Sequence, residues 1–176
     1  LFPYTTLFRS NALTLDSNMI RGILQDAEQS QLRQKKTVVF IDEIHRLIKP
    51  KQDAFLSSLE YGTITLIGAT TENPYFIMQA ALRSRLFIYE FKPLSLEEKA
   101  AILDYALETD KFLKDLGVSL EEDARDYLLE ISGDPRMLLN TLEMSAMAKG
   151  VGSDYRISSE DIRSVLQRPD TLYSDK

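Results

Sequence analysis

Apolar and polar positions along this chain follow two successive patterns, and the change between them divides it. Met19, Ile20, Ile23, Leu24 and Ala27 recur at the spacing of one helical face, with Ser17 or Asn18 as N-cap. After the polar stretch 31–36, Thr37-Val-Val-Phe-Ile41 is a continuous apolar run, the mark of a parallel strand buried on both faces. Pro50 opens a helix through Phe55, Leu56 and Leu59 that ends near Gly62. Thr63-Ile-Thr-Leu-Ile-Gly68 reads as a second strand, residues 80–85 as a short helix, and Leu86-Phe-Ile-Tyr-Glu-Phe91 as a third strand closed by Pro93. Strands alternating with helices predict a parallel sheet with helices on its faces.

Beyond Pro93 the strand pattern stops. Ser95-Leu-Glu-Glu98, Ser119-Leu-Glu-Glu122 and Ser158-Ser-Glu-Asp161 read as capping boxes opening helices over 96–108, 120–131 and 159–166; another helix runs from Pro135 to Lys149. The expectation is an α/β core over 11–93 followed by an all-α unit over 94–176. Residues 1–10 carry no helical or strand period that continues into Asn11. They resemble a translated sequencing adapter, so they are read as a non-native segment outside the fold. The chain as a whole reads as a fragment.

The first strand runs straight into Asp42 and Glu43. Buried acids are costly, so the pair belongs where the strand leaves the core. In open α/β sheets that carboxyl end is where ligands bind. One carboxylate there can hold a Mg²⁺ ion through its water shell while its neighbour deprotonates an attacking water, the Walker B arrangement of a nucleotide triphosphatase. The simpler alternative is an acid that caps the next helix.

The loop Ala69-Thr-Thr-Glu-Asn-Pro74 leaves the sheet beside those acids. Thr70 is the first candidate to touch the γ-phosphate or the water, and Asn73 the second; an ordinary turn is the alternative. Arg83 and Arg85 precede the third predicted strand, where a guanidinium can reach a neighbouring subunit's phosphate or else pair with nearby acids. In Gly133-Asp-Pro-Arg136, Asp134 fits an N-cap and Pro135 the first helical position. Arg136 then stands in the first turn, where an anion is favoured, unless it pairs with Asp134 or Glu130. His45, two residues past the acids, reads as packing or bonding locally.

Composition narrows the chemistry. There is no cysteine and one histidine, which excludes disulfides and thiolate–zinc sites. The net charge of −6, with no basic block, gives whole-chain electrostatics no role in nucleic-acid binding; that would need a local patch. No apolar run approaches a membrane span.

Taken in order, Phe40-Ile-Asp-Glu-Ile-His-Arg46, Gly68-Ala-Thr-Thr-Glu-Asn-Pro74, Leu82-Arg-Ser-Arg85 and Gly133-Asp-Pro-Arg136 resemble an AAA+ ATPase. More closely they resemble the replication-associated recombination protein A (MgsA) family and its relatives, the Werner-interacting ATPases. The resemblance implies a partial AAA+ P-loop core and a helical lid, binding ATP and Mg²⁺. In it Asp42 assists the metal, Glu43 activates water, Thr70 is sensor 1, Arg85 (or Arg83) is the arginine finger and Arg136 is sensor 2. It further implies a homo-oligomeric ring acting on single-stranded or forked DNA with replication-fork proteins, in the cytoplasm at the nucleoid. The alternatives are a non-hydrolysing clamp-loader-like ring subunit and a Holliday-junction branch-migration motor. No Gly-x-x-x-x-Gly-Lys-Ser/Thr occurs in these residues, so this chain alone is expected to hydrolyse ATP negligibly.

Overall fold

The computed structural model describes residues 5–149 and 155–167. Two compact units make it up, Leu1–Glu90 and Phe91–Lys176. In the first, β1 (Thr5–Asn11), β2 (Lys36–Asp42) and β3 (Thr65–Gly68) lie side by side in that order, all parallel. Helix α1 (Ser17–Leu32) connects β1 to β2. A 3₁₀ turn (Ile44–Arg46), α2 (Lys49–Asp53) and α3 (Leu56–Glu60) connect β2 to β3, and the short helices α4 (Pro74–Ile77) and α5 (Ala80–Arg83) follow.

The core of this unit explains the central strand. Thr37, Val39 and Ile41 of β2 are buried, while Val38 and Phe40 are only partly covered. The apolar run is therefore buried on one face, not both. On the other face the Arg9 guanidinium lies 5.5 Å from the centre of the Phe40 ring. Ile20 and Ala27 of α1 pack with Val39, Ile41, Phe55 and Leu66 in one cluster. The cap of α1 is Asp16, whose carboxylate accepts the Asn18 and Met19 N–H groups at 2.8 Å, rather than Ser17 or Asn18. The helix expected from Pro50 through Leu59 divides at Ala54–Phe55, where the Phe55 ring turns fully inward.

Two expectations are corrected here. Residues 1–4 of the segment read as lying outside the fold are not among the described residues, but Thr5–Asn11 forms β1. It pairs with β2 along its whole length, from Thr5↔Lys36 to Asn11↔Asp42. An open strand edge offers N–H and C=O groups that any extended segment can satisfy, whatever its side chains. Consistent with that, no β1 side chain joins the core cluster. Residues 86–91, expected to be a third strand, form none. The stretch is apolar apart from Glu90, but it lies in solvent: Phe87, Tyr89 and Phe91 are 89%, 80% and 95% exposed, and Ile88 is exposed as well. A strand needs a ladder partner, and among the described residues none lies alongside.

The second unit is mainly helical: α6 (Leu96–Thr109), α7 (Lys111–Asp115), α8 (Glu122–Ile131), α9 (Pro135–Ala148) and α10 (Ser159–Leu166). Leu103, Leu128, Leu138, Leu142, Ile157 and Ile162 form its core. The capping boxes at Ser95/Glu98 and Ser158/Asp161 form as the spacing predicts. The third does not. Ser119 instead lies in β4 (Ser119–Leu120), paired in parallel with β5 (Arg156–Ile157), and Glu121 precedes α8 without a side-chain cap. The strands do not stop at Pro93, because a two-residue ladder carries almost no side-chain period. Lys99 is buried, its ammonium donating to the carbonyls of Leu129 (2.6 Å) and Ser132 (3.0 Å) at the end of α8. Those are carbonyls that a helix leaves without intrahelical partners.

Candidate active site

The chain leaves β2 through an unusual residue. Glu43 has φ 53° and ψ 44°, the left-handed region that disfavours any residue with a Cβ. What holds it there is a continuation of the sheet. Ala69 N–H donates to Ile41 O at 2.9 Å, and Ile44 N–H then donates back to Ala69 O at 2.9 Å. Asp42 Oδ1 accepts the Glu43 N–H at 3.1 Å. Ile44 is buried directly against Gly68, where an added Cβ would lie 2.5 Å from Ile44 Cδ1. The glycine thus allows the β2 exit to lie flat on the end of β3. Strain of this kind costs on the order of 1–3 kcal/mol and persists where the surroundings over-determine it, often at functional sites.

This exit turns three polar side chains toward one another. The His45 ring, only 6% exposed, has Nδ1 3.0 Å from Thr70 Oγ1 and 3.2 Å from Glu43 Oε2. Its Nε2 lies 3.6 Å from Glu72 Oε1, longer than a hydrogen bond. The Glu43 side chain is 39% exposed, so the carboxylate is anchored yet reachable from solvent. Thr70 Oγ1 also accepts the Glu72 N–H at 3.0 Å. Asp42, half-buried, ends β2 opposite Asn11, and its carbonyl accepts the Ala12 N–H at 2.9 Å.

The other candidates lie elsewhere. Asn73 caps α4, its Oδ1 accepting the Tyr75 N–H at 3.0 Å, so its side chain serves the turn. Arg83 is folded into the 75–78 turn, donating to Tyr75 O at 3.0 Å with its guanidinium over the Tyr75 ring. Arg85 is ion-paired with Glu60 on the surface and donates to Ala81 O. Arg136 belongs to the second unit. Asp134 caps α9 by accepting the Met137 N–H at 2.8 Å, and Arg136 stands exposed in the first turn. Among the described residues neither Asp134 nor Glu130 pairs with it.

No group of three or more His, Asp and Glu side chains among the described residues could cage a metal. A single carboxylate suffices for Mg²⁺, which keeps most of its waters and takes further oxygens from phosphates. Asp42 fits that demand, because one of its oxygens is engaged by the Glu43 N–H and the other is not.

Comparison with known proteins identifies the lineage. Residues 5–94 match the family described as ATPase family associated with various cellular activities (AAA). The chain belongs to this family. Within it, the chain is 41% identical over 158 residues to replication-associated recombination protein A of Escherichia coli K12, an alignment covering 88% of this chain and 35% of the relative. It is 34% identical over 172 residues to ATPase WRNIP1 of Dictyostelium discoideum, covering 88% of this chain and 20% of that protein. The chain therefore spans about a third or less of these relatives' length. Among solved structures, the Thermotoga maritima RuvB Holliday junction branch migration motor superposes with a TM-score of 0.68 at 23% identity. That superposition covers 92% of this chain and 52% of the motor, and it supports the AAA+ fold.

His45, expected to pack or bond locally, does both, with its ring buried and Nδ1 3.2 Å from Glu43 Oε2; it also reaches the Thr70 hydroxyl 25 residues away, and Glu72, not singled out in the sequence, lies beside it. The signal was present in the parallel pairing of β2 and β3, which brings 43–45 beside 69–72.

Proposed function

We propose that this chain is the Walker B core and helical lid of a DNA-dependent ATPase. The intact protein acts in replication, recombination and repair at stalled forks and hydrolyses ATP at a subunit interface. The observation that carries this reading is the cluster of Glu43 and Thr70 at the carboxyl edge of a parallel sheet, beside Asp42, with Thr70 Oγ1 3.0 Å and Glu43 Oε2 3.2 Å from His45 Nδ1. The names of its relatives, replication-associated recombination protein A and ATPase WRNIP1, support the setting.

In this mechanism Glu43 accepts a proton of the attacking water as the water's oxygen bonds to the γ-phosphorus and the bond to the β–γ bridging oxygen breaks, so that ADP leaves with that oxygen's electron pair and phosphate is formed. Thr70 donates its hydroxyl hydrogen to a γ-phosphate oxygen or to that water. Asp42 is the residue that would hold a Mg²⁺ ion, and the ion would supply positive charge to the phosphate oxygens. Arg85, held by exposed contacts with Glu60, Ala81 O and Ser84 Oγ, is the group to extend to a neighbour's phosphate, since exposed pairs are worth at most about 1 kcal/mol. Arg136, exposed at the start of a 14-residue helix, is the lid's anion contact. The assembly is a homo-oligomeric ring in the cytoplasm, with single-stranded or forked DNA and fork proteins as partners.

The test is ATP turnover, with and without forked DNA, in the longer protein that carries a phosphate-binding loop. Glu43→Gln is expected to lower kcat by roughly 10²–10⁴-fold, the usual contribution of a general base, while nucleotide still binds. The 176-residue chain alone is expected to show no turnover. Unchanged kcat in Glu43→Gln contradicts the reading. A clamp-loader-like subunit would bind the ring and donate Arg85 without turning over ATP itself.

A further inference from the structure

We propose that the groove between α1 and the α2–α3 pair, together with the basic turn that enters it, is the surface on which this protein holds single-stranded DNA. The identity of the partner rests on the DNA-dependent reading given under Proposed function. The place rests on charge and side-chain chemistry.

The chain as a whole repels a polyanion, with a net charge of −6. Binding therefore needs a patch where that balance is reversed. One short segment reverses it. Arg46-Leu-Ile-Lys-Pro-Lys51 runs from the end of the 3₁₀ turn into α2 with three cations and no acid. Arg46 and Lys49 are exposed, and among the described residues no hydrogen bond or ion pair engages either side chain. Lys51 is held in place, its Nζ donating to Leu15 O at 2.6 Å. That bond uses one of three ammonium hydrogens and leaves the charge intact.

Pro50 and Lys51 line a groove of about 520 Å³. Arg21 and Gln25 of α1 line it as well, with Ser57 of α3 and Tyr61 just beyond α3. The Arg21 side chain is exposed and unengaged among the described residues, like those of Arg46 and Lys49. Tyr61 is 79% exposed. Cations that follow backbone phosphates, beside an aromatic face on which an unpaired base stacks, are what a single strand requires. A duplex keeps its base faces stacked inside and offers the ring none.

Neighbouring acids do not cancel this charge. Glu28 also lines the groove, but it lies about 10 Å further along α1 than Arg21, at 1.5 Å of rise per residue. Asp16 accepts the Asn18 and Met19 N–H groups, and Asp53 accepts a hydrogen from Gln79 Nε2, so both carboxylates are turned to protein donors.

The test is fluorescence anisotropy of labelled oligothymidylate with the longer protein that carries a phosphate-binding loop. Arg21→Ala and Lys49→Ala are each expected to weaken binding and to lower the slope of log affinity against log salt by about 0.7, the contribution of one phosphate contact on a single strand. Tyr61→Ala is expected to weaken binding roughly 5- to 150-fold with the salt slope unchanged, because lost stacking releases no counterions. All three side chains are exposed and lie outside the proposed ATP site. ATP turnover without DNA is therefore expected to stay at the wild-type value in each variant, while stimulation by DNA falls.

Wild-type affinity and salt slope in all three variants overturn the proposal and leave the DNA-dependent reading standing. If Tyr61→Ala binds like wild type and duplex DNA binds as tightly as oligothymidylate, the single-strand assignment is wrong. If the wild-type protein binds neither oligothymidylate nor forked or duplex DNA, the DNA-dependent reading itself fails, and the proposal with it.

Discussion

At the scale of single residues, the site depends on what one small side chain leaves open. Gly68 accepts Ile44 where a Cβ would sit 2.5 Å from the isoleucine methyl and 3.1 Å from Cγ2. Ile44 is buried and cannot swing clear, so Gly68→Ala must push the 43–45 segment off β3. We expect that variant to lose about 1–3 kcal/mol of stability in denaturant melts, the usual scale of overpacking, and to weaken the Glu43–His45–Thr70 contacts. A melt unchanged from wild type would show that the exit from β2 tolerates displacement. The location of Asp42 and Glu43 at the carboxyl end of β2, with the Thr70 loop beside them, was legible in the sequence because acids at the end of an apolar strand have one natural location. The left-handed Glu43 and the His45 contacts were not. Both arise from the pairing of Ile44 with Ala69, a long-range event that no local pattern encodes.

At the scale of elements, strand identity proved to depend on partners more than on side-chain period. Residues 5–11 have little pattern and form a strand; residues 86–91 are an apolar run apart from Glu90 and form none. Phe87, Tyr89 and Phe91 leave three rings in solvent, an association hazard for an isolated chain. Replacing Phe87 and Phe91 by Ser is expected to raise the monomeric fraction in sedimentation without lowering Tm; a lower Tm would mean that the rings are covered in solution. Helices were more legible because their caps are local, as at Ser95/Glu98 and Ser158/Asp161. Caps and pairs also set the acid response of the helical unit. The Arg125 hydrogen bond holds the Asp104 carboxyl below its ordinary value. Burial pushes Asp161 up, but hydrogen bonds from Lys149 and Ser158 outweigh it and leave it lowered as well. A depressed carboxyl confers stability that is complete above its unfolded value, about 3.9, and is lost as pH falls through its folded value. Tm should therefore decline below about pH 4, and Asp161→Asn should flatten that decline; an unaltered acid limb would remove Asp161 from the account.

At the scale of the whole molecule, the AAA core and the helical unit each carry part of one proposed chemistry. The core supplies the acids and the hydroxyl; the helical unit supplies Arg136, with no described partner, at the start of α9. The sequence contains no glycine–lysine phosphate loop, so the account places the remaining contacts in a longer chain, in keeping with a match over 35% of the Escherichia coli relative. The change of pattern at Pro93 lies close to the Glu90/Phe91 boundary between the two compact units, whereas the number of strands flanking β3 is not encoded in any motif. The most direct test is a crystal structure of that longer protein, carrying Glu43→Gln, with ATP and Mg²⁺. The account predicts Thr70 Oγ1 within hydrogen-bond distance of a γ-phosphate oxygen, Asp42 facing the metal's waters, and Arg136 on the phosphates. Nucleotide bound with residues 42, 43 and 70 turned away from its γ-phosphate would contradict it.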